Sequence, residues 1–181
     1  VSDDKICRQV SEVCSKLESV GHSVTTTSLE DYRDATTANA AITGMEFTTL
    51  LESNGLVYGN GVGVSEELRK AIIEAKQKGD FGQVVTRRLL SNYILKRETD
   101  GRSYLAAQDA RSEFIEDVAD LFKEYDVLVT PTTPMTAPEF GEITDDQDVI
   151  RTLLNTAPFN VSGNPALSIP CGTIEGKPVG I

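Results

Sequence analysis

The stretch Asp126-Val127-Leu128-Val129-Thr130-Pro131-Thr132-Thr133-Pro134 decides how this chain is read. Val127 to Thr130 run without a polar break, the pattern of a short strand covered on both faces rather than of an amphipathic surface strand. Pro131 ends the run, and Pro134 and Pro138 keep the following loop extended. Further on, Ala166-Leu167-Ser168-Ile169 reads as a second buried strand stopped by Pro170. Gly172 and Gly176 then flank a turn before Val179-Gly180-Ile181, a third strand-like run. Buried strands need neighbours, so these segments predict a sheet.

Helices surround that expected sheet. Ile6, Val10, Val13, Cys14, Leu17 and Val20 keep the i, i+3, i+4 spacing of one apolar face, and Gly21 supplies a C-terminal stop. The β-branched segment Ser23 to Thr27 follows as a further short strand, which makes this the αβ half of an α/β unit. Residues 36–53 predict a second helix ending at Asn54-Gly55. Ser65 with Glu66 and Glu67 has the form of an N-cap and acidic first turn. Further helices are expected over 81–95 and over 103–125, the latter with Ala107, Ala110, Phe114, Ile115, Val118, Leu121, Phe122 and Tyr125 on its inner face. One brief helical stretch is expected at Val149 to Leu154. No repeat, low-complexity tract or linker divides the chain, so residues 1–181 are expected to form part of one α/β domain.

Composition narrows the function classes. With 28 acidic residues against 17 Lys and Arg, the chain carries a formal charge of -11, and no basic stripe appears. A field of that sign repels phosphate backbones and anionic lipid, so neither nucleic acid nor a membrane is expected as a direct partner. The acidic runs Asp145, Asp146, Asp148 and Glu113, Glu116, Asp117 read as solvated faces and not as a metal cage. Cys7 and Cys14 lie on one expected helix with Cα atoms about 10 Å apart, beyond disulfide reach. Together with Cys171 they read as small buried residues of a reducing, cytoplasmic compartment. No apolar run reaches membrane-spanning length, and the start at Val1 is read as the start of a piece of a longer chain.

No catalytic centre assembles from these residues. His22 is the only histidine and sits in a Gly-His-Ser turn, a better turn residue than general base. Ser162 stands in Val-Ser-Gly, without the glycine pattern of a nucleophile elbow. Cys171 has no basic neighbour in sequence to make a thiolate. Gly59-Asn60-Gly61-Val62-Gly63 lacks the third glycine of a dinucleotide loop and reads as a connector.

Three linked motifs carry a resemblance: Asp126 to Pro134, then Asn160-Val-Ser-Gly-Asn-Pro-Ala-Leu-Ser-Ile-Pro-Cys-Gly172, then Gly176-Lys-Pro-Val-Gly-Ile181. In order, spacing and punctuation they resemble the C-terminal half of the amidase-signature family, specifically over 126–181. More loosely, residues 5–55, with Glu46, and the Arg87-Arg88 helix are similar as well. The resemblance implies an α/β/α sandwich around a mixed β-sheet, of which this chain is one part. It implies hydrolysis of a small-molecule carboxamide by a Ser-cisSer-Lys triad without cofactor or metal, with the triad located before residue 1 and no catalytic residue in this chain. Backbone N–H groups of a glycine- and serine-rich loop would hold the oxyanion.

Strands of α/β sheets present ligands at their C-terminal ends, which makes Thr132 and Thr133 candidate substrate-binding residues. Phe159 and Asn160 are candidates for the same pocket wall, and Arg88 for a substrate contact or a helix-surface salt bridge. Within the family, the glutamine-hydrolysing subunit of the tRNA-dependent glutamine amidotransferase usually carries an Asp in the short helix where this chain places Leu153. The apolar residue favours a general amidase over that amidotransferase. A non-catalytic binding or scaffolding domain that kept the fold is the alternative from another class. The sheet edge at Val179 to Ile181 predicts self-association into a homo-oligomer.

Overall fold

A computed structural model of the chain describes residues 2–55 and 64–181. The glycine-rich connector Gly59 to Gly63 lies outside the described residues. In chain order the elements are α1 (Asp4–Ser19), α2 (Tyr32–Glu52), α3 (Glu66–Lys78), α4 (Gln83–Glu98), α5 (Arg102–Leu121), α6 (Asp146–Leu153), α7 (Ala157–Ser162), β1 (Pro170–Ile174) and β2 (Lys177–Gly180). They group into two compact units, Val1–Thr36 with Arg111–Ile181, and Thr37–Ala110.

Local chemistry accounts for most of these boundaries. Ser65 adopts an extended conformation and its hydroxyl accepts from the Leu68 amide at 3.2 Å, which caps α3 as the sequence predicts. Gly79 closes the same helix in the left-handed region. Residues 21–31, expected to contain a strand over Ser23–Thr27, have no helix or strand. Helix α7 is not predicted by the sequence, because Pro158 looks like a breaker. Proline is tolerated in a first helical turn, where its missing N–H has no intrahelical acceptor anyway.

In the first unit β1 and β2 form an antiparallel hairpin. Its two-residue turn, Glu175 at φ 52 and Gly176 at φ 78, has the positive dihedrals that match hairpin twist. Reciprocal backbone bonds between Ile169 and Ile181, at 2.8 and 3.0 Å, carry the pairing one step past β2. The register breaks between Pro170 and Gly172, a bulge that accommodates a proline unable to donate to the ladder. Helix α1 lies on this hairpin: Gln9 Nε2 donates to the Cys171 carbonyl at 3.0 Å, and Lys5 pairs with Glu175.

The α/β/α sandwich expected from sequence is present here only in part: the described residues are mostly helical, with one two-stranded sheet among them. Segment 127–130 has no backbone ladder among the described residues. Its burial is one-sided. Leu128 packs inward on the cluster of Ala35, Phe114 and Val118, while Val127 and Val129 are 70% and 39% exposed. Successive side chains of an extended segment point to opposite faces, so an unbroken apolar run can still leave one face open. The second expected strand behaves similarly, with Leu167 80% exposed.

The second unit is helical. Ala38 and Ile42 on α2 meet Ala107 on α5, with Ala41, Tyr104 and Ala110 packed around them. On α2, Gly44 leaves the space in which the Asn92 side chain of α4 packs. All three cysteines are free; Cys7 is exposed and the other two are half-buried, so none is the core residue expected from sequence. Cys7 falls on the outward side of α1, whose inward side is led by Ile6.

Candidate functional site

The P-T-T-P stretch closes against the end of the hairpin. The Thr132 amide donates to the Gly180 carbonyl at 2.9 Å, and its hydroxyl shares a 2.7 Å hydrogen bond with Ser168. An added Cβ at Gly180 would meet Ser168 Oγ at 2.8 Å and Thr132 Oγ1 at 3.0 Å, so a larger residue there would have to displace this hydroxyl pair. Thr133 is exposed and donates to the Met135 carbonyl at 2.9 Å, which folds the loop back on itself.

Behind this loop, buried Asn155 donates to the Pro131 carbonyl at 2.9 Å and to Ser2 Oγ at 3.0 Å. It thereby ties the turn before α7 to the residue next to Thr132. The Tyr32 hydroxyl donates to the Leu154 carbonyl at 2.8 Å, and burial pushes its pKa up to about 12. This phenol is a structural strut that stays protonated at neutral pH. Phe159, on α7, stands edge-to-face with Tyr32 and with Phe114, ring centroids 6.3 Å apart in both pairs. It is half-buried, part wall and part core, while Asn160 beside it is exposed. Arg111 Nε fixes the far end of α7 by donating to the Val161 carbonyl at 3.0 Å.

Of the residues singled out from sequence, Thr132, Thr133, Phe159 and Asn160 fall in the first unit, with Asn155 as the link between their two segments. Arg88 falls in the second. It is exposed on α4, and its Nη2 donates to Thr43 Oγ1 at 2.9 Å. Ser162 is the turn residue expected of it, donating to the Phe159 carbonyl at 3.2 Å before Gly163. His22 is exposed beyond α1.

The Thr132 and Ser168 hydroxyls are hydrogen-bonded to each other and to no lysine, histidine or carboxylate among the described residues. No metal-ligating cluster of His, Cys, Asp or Glu occurs among them, and none of their helices is long and apolar enough to cross a membrane. Sequence reasoning misses Ser168 and Asn155. Asn155 does leave a signal, a lone amide between Leu154 and the Thr156-Ala157-Pro158 segment, where a buried polar side chain must find partners.

The sequence model of the Amidase family matches residues 1–181. The chain is 35% identical over 181 residues to a glutamyl-tRNA(Gln) amidotransferase subunit of Halothermothrix orenii, covering 98% of this chain and 37% of that protein. Among solved structures it is similar to the corresponding glutamyl-tRNA(Gln) amidotransferase subunit of Thermotoga maritima, with a TM-score of 0.67 and 23% identity over 99% of this chain and 34% of that one. A bacterial aryl acylamidase of the amidase-signature family superposes with a TM-score of 0.70 at 16% identity, over 99% of this chain and 36% of that one. These two likenesses concern the fold. The chain spans about a third of the length of the proteins it matches.

Proposed function

The chain belongs to the Amidase family, whose members hydrolyse amides, and on that premise we propose that it forms the substrate-pocket portion of an enzyme that converts carboxamides to a carboxylate and ammonia or an amine. The nucleophilic serine, bridging serine and lysine come from family sequence outside this chain. In that chemistry the lysine, unprotonated, takes the nucleophile's proton through the bridging serine. The serine oxygen bonds to the carbonyl carbon, the C–N bond breaks as the proton passes to the leaving amine, and water then cleaves the acyl-enzyme. Thr132, Thr133, Phe159 and Asn160 line the acyl side of the pocket in this reading. The family match over the whole chain is the observation that carries it.

Leu153 supports a general amidase. It ends α6 and is 50% exposed, immediately before the Leu154 carbonyl that Tyr32 grips. A leucine there offers nothing to the ammonium group of free glutamine, for which a carboxylate is the natural partner. The second reading, the glutamine-hydrolysing subunit of a tRNA-dependent amidotransferase, is favoured by the 35% identity to a glutamyl-tRNA(Gln) amidotransferase protein.

The test is a substrate panel with a polypeptide that joins this chain to the serine- and lysine-bearing segment. Simple aliphatic and aryl amides should exceed glutamine by at least about tenfold in kcat/KM, some 1.4 kcal/mol of discrimination. Leu153→Asp should narrow that gap. Preference for glutamine would hand the assignment to the amidotransferase, and hydrolysis of no amide at all would favour the non-catalytic scaffold.

A further inference from the structure

We propose that Asn155 is a positioning residue for substrate selection: it fixes the peptide between Pro131 and Thr132 and, through that peptide, the direction of the Thr132 hydroxyl at the acyl side of the pocket. The inference rests on the reading of Thr132 as a pocket residue and adds to it the group that sets how Thr132 is presented.

Pro131 and Thr132 share one peptide plane, and both of its polar ends are taken by segments distant in sequence. Its carbonyl accepts from Asn155 Nδ2 at 2.9 Å, and its N–H donates to the Gly180 carbonyl at 2.9 Å. In a trans peptide these two groups point in opposite directions, so the plane is gripped from both sides. The proline ring already fixes φ of Pro131. What remains to turn the plane is ψ of Pro131 together with φ of Thr132, the rotation that both hydrogen bonds oppose. Thr132 is β-branched and therefore stiff at χ1, and its Oγ1 stands 2.7 Å from Ser168 Oγ. The direction of the hydroxyl thus follows the orientation of the plane.

Asn155 is built to hold that plane still. It is 7% exposed and stands in the short link between α6 and α7. The backbone around it is itself anchored: the Leu154 carbonyl accepts from the Tyr32 hydroxyl at 2.8 Å, the Thr156 amide donates to the Leu153 carbonyl at 3.1 Å, and Ala157 and Pro158 are buried. The second donation from its amide, to Ser2 Oγ at 3.0 Å, holds the side chain from another direction. A carbonyl oxygen only accepts, so a donor must stand opposite Pro131, and an apolar side chain of the same shape cannot replace it. The same link leads into α7 and Phe159, so Asn155 ties one candidate wall to the other. Thr133, by contrast, is exposed and bonds within its own loop, to the Met135 carbonyl.

The test uses the polypeptide that joins this chain to the serine- and lysine-bearing segment. Its readout is the ratio of kcat/KM for propionamide to that for benzamide, which does not depend on the fraction of enzyme correctly folded. Asn155→Leu keeps the shape of the side chain and removes its donors. Because a misplacement of about 1 Å can cost on the order of 100-fold, partial release of the Thr132 peptide should move the ratio about fivefold. Thr132→Val should move it as well. In the Thr132→Val background, Asn155→Leu should then move it by less than about 1.5-fold, the non-additivity of a residue that acts through another. Asn155→Ala leaves room for water on the Pro131 carbonyl, should show the same pattern with a smaller shift, and carries the cycle if Asn155→Leu does not fold. The proposal is overturned if the Asn155 variants lower Tm but leave the ratio at its parent value while Thr132→Val moves it, or if their effect is as large without the Thr132 hydroxyl as with it. A ratio unmoved by Thr132→Val, or no hydrolysis of either amide by the parent polypeptide, would overturn the pocket reading itself and the proposal with it.

Discussion

The two compact units use their polar contacts differently. In the unit of Val1–Thr36 and Arg111–Ile181, hydrogen bonds join loops far apart in sequence: the Asp3 amide to the Pro134 carbonyl at 2.8 Å, Asn155 to Pro131, Thr132 to Gly180, Tyr32 to Leu154. In the unit Thr37–Ala110, side chains tie one helix to the next, as with Tyr104 to Glu46 at 2.8 Å and Lys96 to Glu52 at 2.7 Å. The first pattern constrains irregular backbone and so demands particular prolines and glycines at particular places. The second constrains only helix faces, which many sequences satisfy. That difference explains why the recognisable motifs crowd into 126–181 and fade over the helices upstream.

The largest effect should come from the core of the first unit. Phe114 is fully buried and meets Phe159 edge-on, so Phe114→Ala should cost about 3–5 kcal/mol. Hydrogen exchange at the Thr132 and Ile169 amides should speed up, with α3 amides left protected. Equal loss of protection in both units would break the comparison, because the two would then be one cooperative body.

A smaller effect concerns association. Val127, Leu167 and Ile169 are 70%, 80% and 50% exposed in the first unit, apolar surface that a second copy of the chain could cover. Light scattering of the isolated chain should give a mass above 19.6 kDa that falls on Val127→Lys. A monomer at every concentration would show this apolar surface to be inert.

The smallest effect is electrostatic. Partial removal from water, then the charge of Asp31 and a hydrogen bond to it, with Asp120 and Glu30 beyond, hold the Asp117 carboxyl above its usual range. A folded-state pKa raised above the unfolded value adds stability at low pH that is lost as pH rises through the folded value. Glu139 and Glu175 run the other way. Hydrogen bonds from Lys177 and Lys5 lower their pKa values, and that stability is lost as pH falls. Asp117→Asn should therefore flatten the loss of Tm on raising pH through the carboxylate range, by a small amount because the group is still partly solvated and screened. An unchanged pH profile would mean that the acidic cluster is only a solvated face.

Helix faces and caps are legible in the residues: α1, α5 and the Ser65 cap of α3 follow from spacing and one side-chain oxygen. Strands are less so. An unbroken run such as 127–130 looks identical whether both faces are covered or one, and periodicity carries no information about whether a ladder partner exists. At the candidate site, proline punctuation points to Thr132. Its contact with Ser168 joins residues 36 apart, and only the folded hairpin brings them together. Phe159 reads from sequence as a pocket wall, but its two aromatic neighbours make it a core residue as well, so Thr132 is the cleaner probe of substrate preference.

Whether these 181 residues supply a pocket without a nucleophile is the central question. Ammonia release from a panel of simple amides by the purified chain decides it. The chain alone should show no turnover above the uncatalysed rate, and joining it to the serine- and lysine-bearing segment should restore hydrolysis. Turnover by the chain alone, abolished by substituting Ser162, Ser168 or Cys171, would contradict it.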